Sequence, residues 1–386
     1  MQDLGSRISV LKFGGSSFAN PAAYGTVAGY LAKRVASGEK LCVIVSAMSG
    51  TTGRLSELLS LIAPNALPED VDAVLGTGEI LASALVRAAL VAKDVRAASL
   101  NAYQLGWSAS DKFTSGQLAS FTDSHISAAF ERASVVVIAG GQAMTKDGRL
   151  VMLGRNSSDL TAVAAAIALR CESATIFSDV EGVFTADPYR LVNARLIPRL
   201  GYQRARDYSQ FGAKVLHSGC IELAQRHKIR IRCASLATDG NAYYGTEISD
   251  DGFGIQVCMP ENFRICRLAN GQSDFAAEID VGKPLHLTPA FNLEGYFAAQ
   301  LSDSYHHMIA RGALIGCDDL SPVVAFDGDG SMLVYAVPKQ ERVLQAQEIH
   351  DDLLIGCPFG DTVRRPSKQR GTHTNVYGGL SEVASI

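Results

Sequence analysis

Charge is scarce in this 386-residue chain: Asp, Glu, Lys and Arg make up 19% of it, with a formal net charge of −4. No whole-chain basic field exists to meet a nucleic-acid backbone, so no nucleic-acid partner is expected. The N-terminal stretch MQDLGSRISV has no apolar core of signal-peptide length, so export by that route is not expected. No run of about 18 uninterrupted apolar residues occurs, which argues against a membrane span and for a cytoplasmic location. The eight cysteines form no C-x-x-C pair and read as small buried hydrophobes rather than as disulfides or a metal site. The 36 glycines follow no G-X-Y period, which excludes collagen. There is no fixed-period repeat, no low-complexity tract and no G-x-x-x-x-G-K-[ST] phosphate loop.

Apolar residues are plentiful, at 47%, enough for large cores. At roughly 150 residues per domain the length suggests two to three domains. Over the first 235 residues or so, short apolar runs alternate with helical patterns. ISVLKF (8–13), LCVIVSA (41–47), SVVVIAG (134–140), ATIFSDV (174–180) and IRIRCAS (229–235) read as strands. Helices are predicted at 21–36, 78–93, 160–169 and 211–226, and Asp147-Gly148 reads as a hairpin turn before LVML (150–153). This alternation implies a mostly parallel sheet covered on both faces: a three-layer α/β sandwich. After about Gly245 the periodicity weakens and turn residues increase. The boundary is placed there, giving 1–245 and a smaller α+β region at 246–386, with a tail (364–375 and beyond) expected to be poorly ordered.

Five segments carry candidate chemistry. Lys12-Phe13-Gly14-Gly15-Ser16-Ser17 ends the first strand. Its glycines let the backbone approach a ligand, their amides can meet phosphate oxygens, and Lys12 can neutralise a transferring phosphoryl group. Gly154-Arg155-Asn156-Ser157-Ser158-Asp159 precedes an alanine-rich helix that Ser158 or Asp159 can cap, and Arg155 suits a carboxylate or phosphate. Thr77-Gly78-Glu79 offers a carboxylate for an ammonium group. The stretch 178–188, SDVEGVFTADP, lies where open α/β sheets bind ligands. In FGAKVLH (211–217), Lys214 can reach a nucleotide phosphate. Each segment alone also has a plain reading, as a turn, a capped helix or a solvated surface charge.

Together with VSAMSGTT (45–52), these motifs stand in the order and spacing of aspartate kinases, of the amino acid kinase superfamily, and the chain resembles them over about 8–235. The resemblance implies the amino acid kinase fold and transfer of phosphate from ATP, with Mg2+, to the side-chain carboxylate of aspartate. A carboxylate is already a nucleophile at neutral pH, so the family's chemistry is alignment plus charge neutralisation. By that resemblance Lys12 sits against the transferring phosphoryl, and Asp159 orients that lysine or organises the metal–phosphate region. Gly14, Gly15 and Ser16 hold phosphate, and Ser178, Asp179, Phe184, Asp187 and Lys214 line the ATP site. Ser46, Thr52, Gln142 and Ser158 flank the acceptor, Glu79 holds its α-ammonium and Arg155 its α-carboxylate. A homodimer is the usual assembly.

Five departures from the family pattern, at six positions, stand out. Asn156-Ser157 stands where two glycines are usual, Gln142 where an apolar residue is usual, Gly53 for an asparagine, Phe184 for a tyrosine and Tyr189 for an arginine. The first two leave a kinase for another amino acid or carboxylate open as an alternative; the altered glycine loop and the unusual C-terminal half leave a catalytically silent sensor as a second one. The segment 295–337 resembles one strand–helix–strand unit of an ACT domain, the effector-binding module that aspartate kinases carry in pairs. His306-His307 reads as part of an amphipathic helix. Asp327-Gly328-Asp329-Gly330 reads as a turn rather than a calcium loop.

Overall fold

The computed structural model describes residues 8–154, 156–211, 216–261, 263–268, 296–300, 314–328 and 332–355. Arg155, Lys214, His306-His307 and the polar tail therefore lie outside the described residues.

In chain order the N-terminal part runs β1 (Ile8–Phe13), α1 (Pro21–Ala36), β2 (Lys40–Val45), α2 (Thr51–Ile62), α3 (Pro68–Val91), β3 (Ala97–Leu100) and α4 (Ala102–Leu105). It continues with β4 (Ser108–Ala109), β5 (Leu118–Ser120), α5 (Ser124–Phe130), β6 (Val135–Ala139), β7 (Gln142–Met144), β8 (Leu150–Met152) and α6 (Ser158–Ala168). It ends with β9 (Ser173–Ser178), β10 (Arg199–Gly201), α7 (Tyr202–Gln210), α8 (Ser218–His227), β11 (Arg230–Leu236) and β12 (Ala242–Ser249).

Eight of these strands make one sheet in the order β10-β12-β11-β9-β1-β2-β6-β3. The six from β11 to β3 are mutually parallel, and β12 pairs antiparallel with β11. Side chains alternate across such a sheet with a period of two. Val10, Cys42, Ile44, Val136, Ile138 and Ile176 pack on one face with the alanines of α6 and with Cys220 and Ile221 of α8. Leu11, Phe13, Val43, Val45, Val137 and Phe177 pack on the other with Tyr24, Val27 and Leu31 of α1 and Val86 and Leu90 of α3. This three-layer, mostly parallel architecture is the one expected from the apolar runs. A second small sheet, in the order β5-β4-β7-β8, contacts α3 through β8.

Several sequence expectations shift. Helix α1 matches its expected span, with Asn20 as N-cap accepting from the Ala23 amide. Helix α3 begins ten residues before the predicted 78, at Pro68, after Leu67. It is the one helix among the described residues long and apolar enough to cross a membrane, yet it buries Asp72, Val86 and Leu90 in the fold and carries Glu69, Asp70 and Glu79. The helix expected at 211–226 begins at Ser218, with His217 as its extended N-cap. Strand β12 runs through residue 245, so the change of sequence texture there falls inside a strand of the large sheet.

The C-terminal part holds two three-stranded antiparallel sheets. Strands β13 (Gln256–Cys258), β17 (Leu320–Phe326) and β18 (Met332–Pro338) form one. Strands β14 (Phe263–Leu268), β15 (Tyr296–Gln300) and β16 (Leu314–Gly316) form the other, interposed in sequence within the first. A final helix, Arg342–Leu354, packs on β17 and β13.

Candidate active site

The site lies at the carboxyl ends of β1, β2, β6 and β9, where open α/β sheets leave a crevice for ligands. Lys12 shares the face of Val10, the side covered by α6. Its Nζ therefore meets the first turn of α6 and stands 2.7 Å from Asp159 Oδ1. Both residues are buried, at 8% and 5% exposure. Two opposite charges held this deep interact far more strongly than at the surface, and each depends on the other.

Expected capping by Ser158 or Asp159 does not occur. Ser157 is the N-cap of α6, and neither side chain closes the helix. Both are committed elsewhere: Asp159 to Lys12, and Ser158 Oγ to Ser46 Oγ at 2.6 Å. Ser46 follows β2, and its amide donates to the Phe13 carbonyl. The next amide, that of Ala47, donates to Glu79 Oε1 of α3 at 3.3 Å. Burial pushes the Glu79 carboxyl up to about 7, and the Ala47 hydrogen bond opposes that rise. Lys12, Asp159, Ser158, Ser46 and Glu79 thus form one connected row. Thr52 lies exposed in the first turn of α2.

The glycine pair works through space rather than as two free donors. The Gly14 amide donates to the Phe177 carbonyl at 3.2 Å, tying β1 to β9, so it is not pointed at a ligand. A Cβ at Gly14 would stand 3.2 Å from Lys12 Nζ, and one at Gly15 only 2.9 Å from the Ala47 carbonyl oxygen. Any side chain there crowds the lysine or the floor of the site. Ser16 lies with Gly15 in a one-turn 3-10 helix, Gly15–Phe18.

Asn156-Ser157 proves compatible with the loop it occupies. Asn156 has φ +58°, and asparagine is among the few side-chain-bearing residues that adopt this region readily. Ser157 Oγ donates to the Gly154 carbonyl at 2.6 Å, which holds the turn from within.

Gln142 is not a cleft residue. It is fully buried, its Nε2 donates to the Gly76 carbonyl of α3, and its Oε1 accepts from the Ala102 amide of α4. Residue 142 leads into β7 after Gly141, whose φ of +72° turns the chain inward. An amide can sit there because two backbone groups satisfy it. Replacing Gln142 by leucine should strand both groups and cost about 1–3 kcal/mol of stability, with little change in turnover. Denaturant unfolding and steady-state kinetics on the same variant check both parts.

The 178–188 segment is only partly a lining. Ser178 Oγ donates to the Val180 carbonyl, Asp179 is exposed, and Asp187 Oδ1 accepts from the Tyr189 amide. Phe184 is buried instead in an apolar cluster with Ala186, Leu191, Val257 and Val323. Without the phenolic oxygen of the usual tyrosine, the ring has nothing polar to keep at the surface.

Some contributors escape a sequence reading. Gly140 packs so closely that a Cβ would meet Ser158 Cβ at 2.6 Å. Buried Thr161 Oγ1 accepts the Gly141 amide at 2.9 Å. His217 faces the field of Asp159, which raises its pKa, but burial dominates and lowers it. The glycines and His217 stand in the motifs; no local signal marks Thr161.

A model of the amino acid kinase family matches residues 7–235. The chain belongs to the amino acid kinase family. Within it, residues of this chain are 33% identical over 228 residues to an aspartokinase of Geobacillus stearothermophilus, covering 59% of this chain and 56% of that one. They are 34% identical over 223 residues to an aspartokinase of Pseudomonas aeruginosa, covering 58% and 54%. The chain therefore spans little more than half the length of these curated relatives. Among solved structures, E. coli aspartokinase III in complex with aspartate and ADP superposes with a TM-score of 0.70 at 19% identity, over 90% of this chain and all of that one. An aspartate kinase from Synechocystis gives 0.55 at 23% identity, over 83% of this chain and 60% of that one. These two likenesses show the fold alone.

Proposed function

We propose that this family member is an aspartate kinase, transferring the γ-phosphoryl group of ATP to the side-chain carboxylate of aspartate. The observation that carries the reading is the buried Lys12–Asp159 pair at the strand ends, in one row with Ser158, Ser46 and Glu79. The relatives named aspartokinase, and the neighbour that holds aspartate and ADP, support it.

The acceptor carboxylate attacks the γ-phosphorus, the bond to the β-phosphate oxygen breaks, and an acyl phosphate and ADP result. Lys12 faces the charge that spreads over the transferring group, and Asp159 fixes its ammonium in the cleft. Ionised Glu79 binds the substrate ammonium, Arg155 is assigned its α-carboxylate, and the Ser46–Ser158 pair and Thr52 flank the reacting end. The space kept open by Gly14 and Gly15 admits the phosphates, and Ser178, Asp179, Asp187 and Lys214 are assigned to the nucleotide. One buried carboxylate beside a phosphate cradle suits magnesium, which keeps most of its oxygen ligands from phosphate and water. When bound it would neutralise phosphate charge, with Asp159 the residue to hold it.

The departures that raised a different acceptor lose their weight in this geometry: Gln142 lies outside the cleft and Asn156 keeps the left-handed turn. We assign the catalytic unit to the eight-stranded sheet and its helices. The two C-terminal sheets are assigned to an ACT-like unit, and the assembly to a homodimer in the cytoplasm. The test is hydroxylamine trapping with ATP, magnesium and aspartate. A hydroxamate that requires aspartate is expected; none with aspartate, but signal with another amino acid, would overturn the reading.

A further inference from the structure

The segment that follows β9 is not held by the kinase sheet alone. Residues 183–197 form a small hairpin: the Thr185 amide donates to the Arg195 carbonyl, and the Ile197 amide to the Val183 carbonyl, both at 2.8 Å. Its outer edge is paired to the C-terminal part. The Val257 amide of β13 donates to the Thr185 carbonyl at 2.8 Å, and Gln256 Nε2 donates to the Phe184 carbonyl at 3.1 Å.

The final helix grips the same hairpin with three side chains spaced i, i+3 and i+4, which places them on one face. Gln347 Oε1 accepts the Val192 amide at 2.9 Å. Asp351 Oδ1 accepts Asn193 Nδ2 at 3.1 Å. Between them His350 Nε2 is hydrogen-bonded to Thr185 Oγ1 at 2.8 Å, and both residues are fully buried. Thr185 Oγ1 also accepts the Arg195 amide, so this one hydroxyl joins both strands of the hairpin to the helix. Around it pack Phe184, Ala186, Leu191 and Ala346. An apolar residue would fill such a position without desolvating a ring nitrogen, so a buried imidazole bonded to one hydroxyl fixes register rather than adding bulk.

We propose that His350 is a positioning residue for nucleotide binding: through Thr185 it fixes the 183–195 segment, which carries Asp187. This rests on the assignment of Ser178, Asp179 and Asp187 to the nucleotide. The route is physically short, because β9, which feeds this segment, also accepts the Gly14 amide through Phe177.

The test uses the full chain and the variants His350→Phe, His350→Gln, Thr185→Val and the double variant His350→Phe/Thr185→Val. Binding of ADP is measured by calorimetry, kinetics by product formation, and the tether by hydrogen exchange of 183–195. His350→Phe should weaken ADP binding and raise KM for ATP about five- to tenfold, as loss of one buried hydrogen bond would, and Thr185→Val, which also frees the Arg195 amide, should do so at least as much. Turnover at saturation and KM for the amino acid should stay within about twofold, and exchange across 183–195 should quicken. The double variant should be no worse than Thr185→Val alone, and His350→Gln, which keeps an amide near the Nε2 position, should recover part of the affinity. Additive losses, or faster exchange with unchanged ADP affinity, would overturn the proposal. If the unaltered protein binds no ADP, the nucleotide assignment itself fails, a result visible before any variant is made.

Discussion

Lys12→Ala should lower turnover by about 10^3-fold or more while leaving the chain able to bind its amino acid. The lysine is the buried cation at the strand ends, 2.7 Å from Asp159, and no neighbour in the row can replace its charge. Removal also leaves the Asp159 carboxylate buried without its partner, which costs about 3–5 kcal/mol of stability. The two effects are separable. Lys12→Met fills more of the space, and the pair Lys12→Met/Asp159→Asn removes both charges, so part of the stability should return in the double variant while turnover does not. Single-turnover kinetics beside thermal unfolding checks this. Recovery of turnover together with stability would show that Lys12 acts only as a buried counter-ion.

Glu79→Gln should do the opposite to stability. The Glu79 carboxyl is pushed up to about 7 by burial, well above an unfolded value of roughly 4.3. Below the unfolded value both states are protonated, and burial of the neutral acid carries no charge cost. As pH rises from about 4.3 to about 7 the unfolded chain ionises this carboxyl while the folded chain still holds its proton, so stability falls across that window and levels above it. The amide variant escapes that cost, still accepts from the Ala47 amide, and should be more stable by about 2 kcal/mol at pH 8, measured by denaturant titration. Its KM for the amino acid should rise about 10^2-fold, because an ammonium loses its counter-charge in a desolvated site. In the unaltered protein the same KM should fall as pH rises towards about 7 and then level, whereas the variant should show no such dependence. A variant both less stable and unchanged in KM would make Glu79 a structural residue. Together the two variants distinguish a charge needed for transfer from one needed for grip.

Much of this was legible in the chain itself. Five apolar runs between helical segments dictate parallel strands, because strands buried on both faces have no polar face to alternate with. The charged residues at their ends were readable as a site: Lys12, Asp159, Ser46, Ser158 and Glu79 converge. These features are local, a strand period and a turn at its end, and local physics settles them. The polar helix α7 is less visible, and α2 carries leucines that the described fold does not fully bury.

Tertiary structure decided what depends on partners far apart in sequence. Gln142 looked like a pocket residue until Gly76 and Ala102 were found to satisfy its amide. The Gly14 amide looked free until β9 came alongside and claimed it. Phe184 looked like a nucleotide contact until β13 and β17 covered it. His350 and Thr185 stand 165 residues apart, and nothing in either neighbourhood announces the other. The sequence by itself determined five of the sheet's eight strands, their order along the chain, and the charges at its edge. Which buried polar group finds which partner was decided only when the fold closed, because a hydrogen bond is settled by ångströms of approach and not by composition.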